Sequence, residues 1–222
     1  MPVYRWPDPT PVPALDRYPL MARASLTGIP ADGPIAALTT EPIYAGAGAT
    51  DAEAIDAAER IAQRIGEIRQ SFTGKLGLYG VLPWDHTSWG FTASYETKWG
   101  ARWRARNDLL AAKLLPLVDF LAPDCYVKDT NVRGSIDLTL TEAKRINGVK
   151  PIYPFIWHRR WSGSATGTNE SLSWNDYRQV LLSARRHASG CIVYCDARTD
   201  GTEDQAGHWT HQLEAYANGW QL

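Results

Sequence analysis

The chain has 222 residues, a net charge of −1 and a pI of about 6.5. That length suffices for one domain with a substantial core, and the near-neutral charge supplies no basic field for nucleic acid. The longest apolar stretches fall well short of the ~18 residues of a membrane span, and the opening MPVYRWPDPTPVP lacks the apolar run of a signal peptide.

Residues 1–33 are Pro-rich and weakly periodic. They read as an extended lead-in with room for one helical turn around Leu20 to Leu26. From residue 34 to 222 a barrel-like domain is expected. Ile35 to Thr39 reads as a buried strand. Thr50-Asp-Ala-Glu53 is a capping box that opens a helix with Ile55, Ala58, Ile61, Ile65, Ile68 and Phe72 at helical spacing, closed by Gly74. Leu76 to Val81 is the next strand. Asn107 is placed to cap a helix carrying Leu109, Leu110, Leu114 and Leu115, which Pro116 ends. The strand Val118 to Val127 follows, interrupted by Pro123. Thr139-Leu-Thr-Glu142 reads as a second capping box for a short helix that stops at Asn147-Gly148. Pro151 to Ile156 is a strand, Ser173 caps a helix through Ala184, Cys191 to Cys195 is a strand, and a last helix covers roughly Glu203 to Asn218.

Strands that alternate with helices imply parallel pairing and right-handed crossovers. The long connections, Pro83 to Arg106 and Trp157 to Leu172, follow strands, so they gather at the strand C-terminal ends, where α/β folds keep their sites. No GxGxxG and no GxxxxGK[ST] is present, which disfavours a dinucleotide-binding sheet, and no cofactor is expected. The expected fold is therefore α/β, a TIM-barrel-like repeat that is incomplete. About five strand–helix units are recognisable where a full barrel has eight in ~250 residues. An open barrel exposes strand edges beside Ile35–Thr39 and Cys191–Cys195. The lead-in, a partner chain in a homo-oligomer, or a missing N-terminal segment is expected to cover them.

Three cysteines are too few for a disulfide scaffold. Cys191 and Cys195, four apart in a strand, would lie ~13 Å from each other, beyond disulfide reach. Of five histidines only His208 and His211 stand close, without a third ligand, so no metal is expected. The basic group Arg102, Arg104, Arg106 reads as a solvated loop face that could also meet an acidic polysaccharide, and His158-Arg159-Arg160 follows a strand end from which it could reach a substrate carboxylate.

The chemistry-bearing residues fall at strand ends. Alternate strand residues share a face, so Thr39 pairs with Glu41, Asp124 with Tyr126, and Tyr194 with Asp196; Tyr79 ends its own strand and Asp85 lies just past it. A carboxyl ringed by tyrosines is raised in pKa by desolvation, which suits a general acid. Ten Trp accompany ten Tyr. Trp84, Trp89, Trp99, Trp103, Trp157 and Trp161 lie where they either anchor long loops or offer flat rings to a sugar.

The order of these segments resembles the second half of a hyaluronidase-type glycoside hydrolase, a modified α/β barrel. IAALTTEP resembles that family's strand with an Asp-x-Glu pair, and LGLYGVLPWDH its Tyr-Gly-x-Pro segment. DFLAPDCYV resembles a strand ending in tyrosine, KPIYPFIW the next strand, and GCIVYCD the last, over roughly residues 34–196. The resemblance implies a carbohydrate substrate, Glu41 as proton donor, Tyr79 and Tyr126 holding the sugar's acetamido group and ring, and Tyr194 at the place of a subsite-floor tryptophan. Thr39 stands where the family has an aspartate. Threonine cannot supply that charge, so a hydrolase would need another carboxylate, Asp124, Asp196 or Asp85. Its separation from Glu41 would set the outcome, ~5–5.5 Å for retention and ~6.5–9.5 Å for inversion. The readings left open are a glycoside hydrolase, a catalytically impaired carbohydrate-binding relative, and a structural module of a larger assembly.

Overall fold

The computed structural model describes residues 1–5, 22–24, 35–38, 49–84, 98–128, 132–161, 170–194 and 211–219. Along these the chain is α/β. Its elements in order are β1 (Val3–Arg5), β2 (Ala22–Ala24), β3 (Ile35–Leu38), α1 (Asp51–Arg69), β4 (Lys75–Tyr79), α2 (Lys98–Leu114), a 3-10 turn (Leu115–Leu117), β5 (Phe120–Ala122), α3 (Val132–Asn147), β6 (Phe155–Trp157), α4 (Trp174–His187) and β7 (Cys191–Tyr194). Residues 211–217 are again helical.

Among the described residues the named strands pair in parallel, in two sheets of order β1-β7-β6 and β2-β3-β4-β5. The sheets are joined where β5 and β6 run side by side. There Leu121 N donates to Pro151 O at 3.0 Å, Tyr153 N to Leu121 O at 2.9 Å, Phe155 N to Pro123 O at 2.8 Å and Cys125 N to Phe155 O at 3.0 Å. Pro123 has no N–H for a ladder and interrupts β5, as the sequence suggests, yet its carbonyl still serves the neighbour.

The lead-in differs from expectation. Its described residues include two strands, and residues 22–24 are extended rather than helical. β2 pairs with β3 and β1 with β7, so this segment lies along both edges that needed cover. Periodicity missed them because a three-residue strand is too short to show alternation.

The alternation of strand side chains sorts the core into two layers. Ala36, Leu38, Leu76, Leu78, Leu121, Ile156, Cys191 and Val193 pack with the helices. Ala37, Phe120, Ala122, Phe155 and Ile192 pack on the other face with Tyr4, Tyr79, Tyr126, Tyr153 and Tyr194. Phe120 lies over Gly77, where a Cβ would come within 2.0 Å of its ring.

Two helices start where the capping residues indicate. Glu53 N donates to Thr50 Oγ1 at 3.2 Å and Thr50 N to Glu53 Oε2 at 2.7 Å; Ser173 Oγ accepts from Asp176 N at 3.1 Å. Two other caps are corrected. α2 begins nine residues before Asn107, and α3 begins seven before Thr139. Asn107, Thr139 and Glu142 lie on buried helix faces instead, the last fully enclosed. A polar residue buried inside a helix mimics a cap in sequence, since both positions place Asn, Thr or Glu beside an apolar run.

Candidate functional site

The C-terminal ends of β4 to β7 bring four aromatic side chains together. Tyr126 lies 5.7 Å from Trp157 and 6.0 Å from Tyr194, ring centre to ring centre, and Trp157 meets Tyr194 edge-on at 5.4 Å. Tyr79 packs on Phe155 at 4.3 Å and shares a hydrogen bond with the Tyr126 phenol. Such tilted and edge-on pairs place the positive edge of one ring against the face of the next. A further layer, Phe120 and Tyr4 against Tyr153, supports them. Burial foremost, then the neighbouring Tyr79 and Asp124, pushes the Tyr126 phenol well above its ordinary range, so it is a neutral donor throughout the physiological range.

Asp124 follows Pro123 and turns the chain: its Oδ1 accepts from Tyr126 N at 3.0 Å, an Asx-type turn. Its Oδ2 accepts from Lys128 Nζ at 2.8 Å, both side chains being largely shielded. Lys128 Nζ also stands 5.3 Å from the Trp161 ring, within cation–π range. Lys128 escaped the sequence reading; the signal was its position four residues beyond a carboxylate in a Pro-Asp turn. Gly80, at φ 71°, occupies a backbone region closed to most side chains and brings the chain beside Asp124.

α2 braces the segments on both sides of this cluster. Asn107 Oδ1 accepts from Trp84 N at 2.8 Å, its Nδ2 donates to Glu142 Oε1 at 3.0 Å, and Trp103 Nε1 donates to Trp84 O at 2.6 Å. Arg106 reaches the entrance of α1, donating to Asp51 Oδ1 at 2.6 Å and Ala49 O at 2.8 Å, with its guanidinium 5.4 Å from the centre of the Trp84 ring. Trp84 and Trp103 are thus enclosed loop anchors rather than open platforms, and Arg106 is a buried strut rather than a solvated charge. His158 and Arg159 are likewise buried, and Arg160 faces Asp176 at 3.9 Å. Cys125 and Cys191 are buried free thiols.

Of the residues singled out in sequence, Tyr79, Tyr126, Tyr194, Trp157 and Asp124 come together. Thr39, Glu41, Asp85 and Asp196, with Trp89, Cys195 and His208, lie outside the described residues. Among the described residues no group of His, Cys, Asp and Glu could hold a metal ion, and no helix is long and apolar enough to cross a membrane.

No protein-family model matches the chain, and no curated protein matches it. Among solved structures it is similar to one from Bacteroides thetaiotaomicron described as a "putative alpha-L-fucosidase". The identity is 14%, the TM-score 0.46, and the match covers 75% of this chain and 52% of that one. The chain therefore spans about half the length of that protein. A likeness of this extent fixes neither family nor activity.

Proposed function

We propose that the chain is a carbohydrate-active protein of glycoside hydrolase type, built on a barrel-like roll of its parallel strands, with Glu41 as general acid. One observation carries the reading: Tyr79, Tyr126, Trp157 and Tyr194 gather at the C-terminal ends of adjacent parallel strands. Rings with polar edges suit a pyranose, which offers apolar C–H faces and a hydroxyl rim. The strand order supports the roll, since β1 and β2, neighbours in the chain, end up at opposite ends of the row. Glu41 enters by alternation. Ala37 packs with the tyrosines while Ala36 and Leu38 pack with the helices, and the same alternation continued would carry Thr39 and Glu41 to the tyrosine side. The motif order from IAALTTEP to GCIVYCD makes a hyaluronidase-type enzyme the preferred relative.

A second reading, an impaired carbohydrate-binding relative, is favoured by Thr39 in place of the aspartate and by Asp124 being engaged by Lys128. A carboxylate tied to an ammonium ion can stabilise developing positive charge, but less than a bare one. Wild type and Glu41→Gln assayed on amino-sugar polymers and aryl glycosides separate the two. For the hydrolase, Glu41→Gln should lower kcat/KM by at least ~100-fold with sugar binding retained. Equal and negligible turnover with retained binding selects the second reading, and absence of sugar binding in both proteins overturns both.

A further inference from the structure

Trp157, in the aromatic cluster, is 4% exposed, and among the described residues its indole Nε1–H meets no acceptor. Buried indole N–H groups are normally hydrogen-bonded, because they lose water on folding. Ser183 Oγ, Gln212 Oε1 and Asn147 Oδ1 are also unpaired, but they lie on helices, and the amide nitrogens of Gln212 and Asn147 are already bonded to Trp174 O and Lys150 O. Trp157 differs in place: it ends a strand and rests against the half-buried rings of Tyr126 and Tyr194.

We propose that the Trp157 indole N–H donates a hydrogen bond to an uncharged oxygen, a hydroxyl or an amide carbonyl, of a sugar bound against Tyr126 and Tyr194. The inference rests on the carbohydrate reading above and adds to it the chemistry of one contact. Indole is a donor only, so its partner must accept. The acceptor is uncharged because an anionic group would enter a wall of aromatic rings beside Asp124, whose nearest cation, Lys128, is already engaged.

The test titrates the full chain, labelled at its indole nitrogens, with chitotetraose and with cellotetraose. Trp157 is assigned by through-bond experiments, and binding is followed in parallel by calorimetry on wild type and Trp157→Phe. The indole resonance of Trp157 should shift downfield on saturation, and Trp157→Phe should bind roughly 3- to 12-fold more weakly, the range for one neutral hydrogen bond. A loss confined to chitotetraose identifies an amide carbonyl, and an equal loss for both sugars identifies a hydroxyl. Because the resonance is read on wild type, the test survives a variant that fails to fold. Wild type that binds either sugar with an unmoved Trp157 resonance overturns this inference and leaves the carbohydrate reading standing. If wild type binds neither sugar, the amino-sugar reading falls and the inference with it.

Discussion

A histidine enclosed beside an arginine gains little by taking up a proton. Burial first, and the charge of Arg159 second, lower His158 to about 3. The unfolded chain binds that proton near the ordinary pH 6.5, the folded chain only near pH 3. Between those values the unfolded state holds more protons, so the contribution of this group to stability is complete above about pH 6.5 and is lost on acidification, at up to about 1.4 kcal/mol per pH unit. Urea unfolding of wild type and His158→Gln between pH 7 and pH 4 should therefore show wild type losing stability more steeply. Parallel profiles for the two proteins would remove the assignment. His158 also shows what a residue-level reading misses. In sequence it opens a basic triplet placed to reach a substrate carboxylate, whereas Leu172 N donating to its carbonyl and the bridge from Arg159 to Ser171 fold the segment inward.

At the scale of elements, α2 is the member whose sequence misled most and whose role is widest. Buried positions recur at Gly100, Trp103, Arg106, Asn107, Leu110, Ala111 and Leu114, a helical stripe that includes two of its most polar residues. Those two reach out of the helix in different directions, Asn107 to the chain beyond β4 and to Glu142 on α3, Arg106 to the entrance of α1. Asn107→Ala strips Glu142 and the Trp84 N–H of the same partner at once. Glu142 keeps its two bonds from Arg145, so the cost falls mainly on the buried Trp84 N–H that loses its acceptor, at about 1–3 kcal/mol, and the variant should lose roughly that much in equilibrium unfolding. A loss under about 0.5 kcal/mol would show that water replaces the amide and that α2 does not act as a brace. Arg145, held on Glu142 by two hydrogen bonds of 2.7 Å, has its guanidinium raised further still by that carboxylate.

For the whole molecule, the decisive contact is between the first strand and the last. Cys191 N donates to Pro2 O at 3.1 Å, and Val3 stands opposite Cys191 in register. Gly190 makes this approach possible: a Cβ there would come within 2.2 Å of Pro2 O, a backbone atom that cannot swing aside. Gly190→Ala should therefore push β1 away from β7 and cost about 1–3 kcal/mol. Hydrogen exchange should find the loss of protection concentrated at Cys191 and its β1 partners. Unchanged protection there would mean that this edge does not depend on the close approach. Read in sequence as an extended lead-in and one of three candidates to cover the open edges, residues 1–33 supply, among the described residues, one strand at each end of the row.

Much of the order of strands and helices was legible without coordinates, because apolar spacing, Thr50 and Ser173 as caps, and Pro123 as an interruption are local signals that survive in one dimension. The gathering of Tyr79, Tyr126 and Tyr194 was foreseeable for the same reason, since alternation in a strand assigns each residue a face. Tertiary structure decided the rest. Whether Asn107 and Glu142 cap helices or meet inside the protein depends on partners 23 and 35 residues away from Asn107. Whether a three-residue strand forms depends on a neighbour that supplies its hydrogen bonds, as β7 does for β1. Burial and pairing are properties of which segments meet, and no local pattern carries that information.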